Sequence, residues 1–311
     1  MQGSNEPISV KEKFSPLKVF GHRIQQIIMP IFAIADGEFV HLGTGFLISP
    51  DGLMMTAKHV IDEVFEERLE RRTGGGLYKN VELFALYVTN TENPEVQDSV
   101  IDGPWPISFA SYSDEYDIAY CWLKQALVND KPFKFSACLS LSPGIPSINE
   151  NILGFGYYGR DASFTGNVVK GRTEVQYSQE TAFTRGVVKD IHFPKRDSFH
   201  LKFPCFHTTA RFDPGMSGGP IFNESGGVCG VICDAFGESD ENGDYISYGS
   251  LVWPSLAITL ETKIENDPTV TQITAYEMIK RGFIKADKTF DNLHFVRNGK
   301  EVSLSLLKPK G

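Results

Sequence analysis

The chain of 311 residues lacks any apolar run near the roughly 20 residues that a membrane-crossing helix needs. Its most apolar early stretch, residues 27–35, is short and interrupted by Pro30. The segment 1–16 also lacks the basic stretch, apolar run and small-residue cleavage site of a secretory signal. Cysteine is scarce and odd in number: Cys121, Cys138, Cys205, Cys229 and Cys233. Thiols scattered through apolar runs do not make a disulfide framework, and Cys229 and Cys233 stand four apart rather than as a paired metal-binding motif. An excess of positive charge is missing too. With 39 Asp and Glu against 30 Lys and Arg the formal charge is -9, which excludes a general nucleic-acid binder, because phosphate contacts rest on clustered Lys and Arg. These absences predict a soluble, cytoplasmic protein with reduced thiols, no metal or other cofactor, and no nucleic-acid or membrane partner.

Helical signals are also few. Residues 57–72, 254–263 and 271–281 carry amphipathic periodicity, and the first ends at Gly74-Gly-Gly76, a flexible connector without the Lys-Ser/Thr of a phosphate loop. What the chain has in quantity is short runs rich in Val, Ile, Phe, Tyr and Thr. They fall at 19–21, 25–34, 45–49, 81–89, 118–123 and 152–156, then at 175–188, 199–210, 220–222, 228–233 and 247–252. Turn residues punctuate them, as in Ser49-Pro-Asp-Gly52 and Glu224-Ser-Gly-Gly227. Many short strands with Gly/Pro turns predict an all-β sandwich or barrel. The acidic run Glu238 to Asp244 offers hard oxygens of the kind calcium takes, but reads more simply as a solvated hairpin loop.

Three segments carry chemistry. In Gly43-Thr-Gly-Phe-Leu-Ile-Ser-Pro-Asp-Gly52 and on to Thr56-Ala-Lys-His59, two strands joined by a turn end in a histidine at a strand-to-helix junction. Such a junction holds a general base rigidly. In Glu115-Tyr-Asp-Ile-Ala-Tyr120 an acid, Asp117, opens an apolar strand; Asp98, Asp102 and Asp114 are alternative acids. In Asp213-Pro-Gly-Met-Ser-Gly-Gly-Pro220 a serine sits in a Gly-rich turn. A serine hydroxyl becomes a useful nucleophile when an imidazole takes its proton, and a carboxylate fixes the imidazole tautomer. Glycine beside the serine lets backbone N–H groups converge on a developing oxyanion. His59, Asp117 and Ser217 are therefore the candidate catalytic residues, with the amides of Gly215 and Ser217 as the candidate oxyanion hole. The other histidines read as structural or surface residues.

These segments resemble the signature blocks of the trypsin/chymotrypsin superfamily, in particular its bacterial HtrA/Deg-type branch, over about residues 19–254. The order His, Asp, Ser matches that superfamily and not the α/β-hydrolase or subtilisin orders. The resemblance implies a double six-stranded antiparallel β-barrel and a serine endopeptidase acting on a protein or peptide substrate. It also implies a domain layout: an extension at 1–18, barrels at about 19–140 and 141–254, and a helical or extended tail at 255–311. By the same resemblance, the strand containing Cys233, Asp234 and Ala235 lines the substrate cleft.

Counting back from Ser217 puts Arg211 near the base of the primary specificity pocket. There it would favour an acidic or polar residue before the cut; the alternative is an apolar pocket lined by Phe212. Met216 stands where animal proteases carry the Asp that pairs with a freed N-terminus, so activation by N-terminal cleavage is not implied. The tail is too short for the peptide-binding PDZ module usual in the Deg branch. Three readings follow: an active endopeptidase, a pseudo-protease that binds peptides without cutting them, and a protease activated by a protein partner in a bacterial stress or defence system. The tail could also serve as an arm for a homo-oligomer.

Overall fold

In a computed structural model of the protein, the described residues are 14–17, 23–36, 38–70, 76–87, 103–169, 172–239, 243–263, 270–299 and 301–307. Strand β1 (Phe14–Leu17) precedes β2 (Ile28–Ala35), β3 (Glu38–Leu47) and β4 (Leu53–Thr56). Next come β5 (Glu82–Tyr87), β6 (Gly103–Tyr112) and β7 (Ala119–Leu123), then a minimal hairpin of β8 (Leu127–Val128) and β9 (Lys131–Pro132). The six strands β2-β3-β4-β7-β6-β5 close into a barrel. Pro30 lies within β2 opposite Thr44 of β3, whose N–H turns to the Ser217 carbonyl, and β5 pairs with β2 only from Ile31 onward. The Pro-Asp-Gly sequence makes the expected turn between β3 and β4, with Gly52 in the left-handed region at φ 88°.

A second set of strands follows: β10 (Asn151–Val169), β11 (Arg172–His192), β12 (Cys205–Thr208), β13 (Pro220–Phe222), β14 (Val228–Ser239) and β15 (Tyr245–Leu251). Their order is β11-β10-β13-β14-β15-β12, and β12 pairs back onto β11, so this sheet also closes on six strands. The double six-stranded antiparallel barrel expected from the sequence is the fold. Strand β1 adds a seventh strand outside the ring, pairing antiparallel with β11 from Phe14↔Thr184 to Leu17↔Thr181. One continuous apolar core runs through both barrels, from Ile28 and Phe46 in the first to Phe155, Phe206 and Ile232 in the second.

The three expected helices are shortened or replaced. Among the described residues of 57–72, a 3-10 turn at Lys58–Val60 and helix α1 (Asp62–Phe65) are the helical parts. Glu67 then turns left-handed at φ 54°, and the chain reverses through a bridge between Glu70 and Leu77. Of 254–263, helix α2 (Val252–Ser255) overlaps only the first two residues, and β16 (Thr259–Lys263) takes the last five by pairing with β17 (Val270–Thr274). Ile258 and Leu260 are buried while Thr259 and Glu261 are exposed, the period-two pattern of a strand. Of 271–281, the first four residues belong to β17, and helix α3 (Ala275–Lys280) starts after Thr274. There Thr274 and Glu277 form a reciprocal capping box. A last hairpin, β18 (Leu293–Asn298) with β19 (Glu301–Leu306), completes the described chain. The strand expected at 19–21 and the connector at 74–76, save Gly76, lie outside the described residues, as do 240–242 of the acidic run, whose Asp244 pairs with Lys189 at 3.5 Å. Among the described residues no helix is long and apolar enough to cross a membrane.

The segment after β15 braces the junction of the barrels. Leu141 forms parallel bridges to both Val228 and Ala286, and the Gly144 amide donates to Thr289 Oγ1 at 3.0 Å. On the other side an aromatic cluster of Tyr87, Trp105, Phe133 and Phe135 packs with ring centroids 5.0 to 6.3 Å apart. Phe135 is only 4% exposed there. Truncation Phe135→Ala is expected to destabilise the chain by about 3–5 kcal/mol, the usual cost of emptying an aromatic site. Urea unfolding of both chains measures it.

Candidate active site

The strand β4 ends at Thr56, and the 3-10 turn that follows aims His59 into the cleft between the barrels. Asp117 lies two residues before β7, the neighbour of β4 in the first barrel, and is buried with 8% exposure. Its two oxygens divide their work. Oδ2 lies 2.8 Å from His59 Nδ1, and Oδ1 accepts the His59 backbone N–H at 3.0 Å. The double contact fixes both the ring and the backbone that carries it, and leaves Nε2 as the ring nitrogen available to a substrate or nucleophile. Asp114 instead pairs with Lys58 at 2.6 Å, and Asp98 and Asp102 lie outside the described residues.

The imidazole stands 45% open to the cleft. Burial by the cleft walls works against its protonated form, but the charge and hydrogen bond of Asp117, followed by the charges of Asp62 and Asp234, outweigh it. The net effect raises the His59 pKa above its ordinary 6.5.

Ser217 arrives from the second barrel on the loop before β13. Its carbonyl accepts the Thr44 N–H at 2.8 Å, and Thr44 Oγ1 donates to the Gly215 carbonyl at 3.0 Å while accepting the Tyr157 N–H at 3.0 Å. Thr56 Oγ1 in turn donates to the Thr44 carbonyl at 2.7 Å. Four bonds through two buried threonines thus seat the serine loop against the strand ends that lead to His59. Thr44 and Thr56 were not singled out from the sequence; a hydroxyl between two glycines, in Gly43-Thr-Gly45, was the available sign. Among the described residues the Ser217 hydroxyl itself makes no hydrogen bond.

Two glycines of this loop have no substitute. Gly218 has φ 86°, and a Cβ there would meet the Thr44 carbonyl oxygen at 2.1 Å; Gly215 has φ 96°, and its Cβ would meet His41 Cε1 and the Tyr157 carbonyl oxygen at 2.9 Å. The Pro214 carbonyl accepts the Gly159 N–H at 3.1 Å. That peptide orientation points the Gly215 N–H the opposite way. Neither it nor the Ser217 N–H donates to another described residue. Met216 between them is wholly buried, with its amide on the Asp213 carbonyl at 3.0 Å and its Sδ accepting the Asp213 N–H at 3.4 Å.

The residues expected to bind substrate are placed unevenly. Arg211 is not an open cation: its guanidinium closes on Asp213 through Nε and Nη2, both at 2.7 Å, and lies over the Phe14 ring at 4.5 Å. Phe212 is buried in the second barrel against Gly154 and Thr184 rather than lining an open wall. Cys233 is buried and donates its thiol to the Tyr248 carbonyl at 3.2 Å; burial pushes its pKa well above 9.0, so it is held as a thiol. Asp234 and Ala235 are half-buried on β14. That strand pairs with β13 only as far as Val231, so beyond it Asp234 and Ala235 have a strand neighbour, β15, on one side alone. Among the described residues no cluster of His, Cys, Asp or Glu is arranged to hold a metal ion.

Residues 43–231, more than half of the chain, match the model of the trypsin-like peptidase domain. The chain belongs to the trypsin-like peptidase domain family. It is 26% identical over 248 residues to a probable periplasmic DegP-like serine endoprotease of Pseudomonas savastanoi pv. phaseolicola, covering 79% of this chain and 38% of that protein's length. Among solved structures, the active form of the Rv3671c protease of M. tuberculosis aligns with TM-score 0.43 and 18% identity over 80% of this peptidase and 90% of that chain. The MamO protease domain of Magnetospirillum magneticum, in its apo form, aligns with TM-score 0.42 and 12% identity over 73% and 93%.

Two outcomes follow for the site. In an NMR titration, the His59 ring is expected to show a midpoint above 6.5 that drops in Asp117→Asn. The sign for stability is set by the same shift: the His59 contribution is full below 6.5 and fades as pH rises through the higher folded value. Thr44→Val, which orphans the Gly215 carbonyl and the Tyr157 N–H, is expected to cost about 1–3 kcal/mol in denaturant unfolding.

Proposed function

We propose that this peptidase cuts protein or peptide substrates with Ser217 as nucleophile, His59 as general base and Asp117 as the group that orients His59. The observation that carries the reading is the double bond of one buried carboxylate to the ring and the backbone of His59. Held this way, Nε2 takes the Ser217 proton as Oγ attacks the scissile carbonyl carbon. The negative oxygen of the tetrahedral intermediate receives the N–H groups of Gly215 and Ser217. Collapse breaks the C–N bond, and the leaving amine takes the proton from His59. The acyl ester on Ser217 is then hydrolysed by water through the same steps in reverse roles. Substrate pairs as an added strand along Asp234 and Ala235, the part of β14 open on one side.

The wider setting belongs to the same proposal. The five free thiols suit a reducing, cytoplasmic compartment. Met216 has no charge with which to answer a freed N-terminus, so control by a protein partner, as in a bacterial stress or defence system, is the regulation this site favours. The test is a fluorophosphonate probe read by intact mass. Stoichiometric labelling in the unmodified chain, lost in Ser217→Ala and cut at least 100-fold in His59→Ala, is the expected result. Labelling of the purified chain without any partner speaks against partner activation. A chain that stays unlabelled under every condition returns the cleft to a peptide-binding role.

A further inference from the structure

The guanidinium of Arg211 faces neither solvent alone nor an open pocket. Its flat face rests on the Phe14 ring at 4.5 Å, and its fork is closed on both oxygens of Asp213. Phe14 comes from β1, nearly 200 positions earlier in the chain, held in place by the ladder of β1 on β11. The same ring meets Tyr158 in a T-shaped contact, with centroids 5.2 Å apart and planes at 77°. Phe14 therefore touches two residues whose immediate neighbours control the serine loop. Through Arg211 it reaches Asp213, which receives the Met216 amide on its carbonyl and gives its own amide to Met216 Sδ. Through Tyr158 it reaches Gly159, whose N–H holds the Pro214 carbonyl.

The orientation of the peptide between Pro214 and Gly215 decides whether the cleft is offered an N–H or a carbonyl oxygen. Only the N–H can stabilise an oxyanion. Elsewhere a buried charge pair could lock such a loop; here Met216 is apolar, and the lock must be assembled from outside. A lone exposed ion pair would hold it weakly, since such pairs are screened by water. Bidentate geometry and an aromatic platform are what turn an arginine into a fixed strut.

We infer that Phe14 and Arg211 are positioning residues: the N-terminal strand is a built-in brace that keeps the oxyanion loop in its working orientation, and Arg211 serves that brace rather than choosing an acidic residue before the cut. The inference rests on Ser217 acting as the nucleophile, and the experiment separates the two. Using the full chain, the second-order rate of fluorophosphonate reaction at Ser217 and the affinity for phenylboronic acid, which forms a tetrahedral adduct, are measured alongside the melting temperature and the His59 titration midpoint. Phe14→Leu keeps the apolar bulk but removes the π face, and is expected to lower both the rate and the boronate affinity about tenfold. Phe14→Tyr restores both, while the His59 midpoint does not move in either variant. Should Phe14→Leu fail to fold, Asp213→Asn breaks the fork without touching β1 and is expected to give a similar loss. Wild-type rates in Phe14→Leu or in Asp213→Asn, or equal slowing in Phe14→Leu and Phe14→Tyr, overturn the brace and leave Ser217 as nucleophile standing. An unmodified chain that never reacts overturns the nucleophile and the brace with it.

Discussion

The Thr44 hydroxyl is the point on which the two barrels turn into one site. It donates to the Gly215 carbonyl and accepts from the Tyr157 amide, while its own carbonyl is held by Thr56. Each partner is a backbone group that would lose its bond if the barrels separated, so much of the cost of separating them falls at one residue. Nothing larger would fit. Gly43 and Gly45 on either side lie so close to Ser217, Val60 and Met54 that a Cβ at either would fall within 3 Å of them. Small residues let the strands approach, and the hydroxyl between them uses the approach.

From that junction the division of labour between the barrels becomes plain. The first barrel holds His59 and Asp117 together rigidly: β4 and β7 are hydrogen-bonded neighbours, and the ends of two adjacent strands cannot drift apart without breaking a ladder. The second supplies a loop whose value depends on the direction of a few N–H groups. Loops are the softer part of any fold, and this one carries left-handed glycines at 215 and 218. It is accordingly the loop that gathers supports from Met216, Asp213, Gly159 and the threonines. A stiff pair facing a supported loop is the arrangement that acyl transfer asks for, because charge must develop where fixed dipoles already point.

Much of this was legible in the residues. The Pro-Asp-Gly turn, the Gly-rich serine loop and an acid opening an apolar strand are local patterns, set by φ preference and period-two burial, and each stands where the sequence places it. The errors were local as well. The run from Ile258 to Lys263 contains enough Glu, Thr and Leu to satisfy a helical period, yet its alternation of Ile258 and Leu260 with Thr259 and Glu261 was the stronger sign, because β17 was there to pair with it. At 57–72 the helix stops after α1 because the chain must turn back through Glu67 and the Glu70–Leu77 bridge.

Alone, the sequence determined the family, through the three blocks around His59, Asp117 and Ser217 that fall in that order along the chain. It also determined the all-β character, through strand-forming runs cut by turn residues. Tertiary structure decided which side chains serve one another. Thr44 meets partners 113 and 171 positions away, and Arg211 pairs with Asp213 and the distant Phe14. Local propensity carries no information on such pairs: their free energy exists only once the barrels have closed and brought the groups within hydrogen-bonding reach.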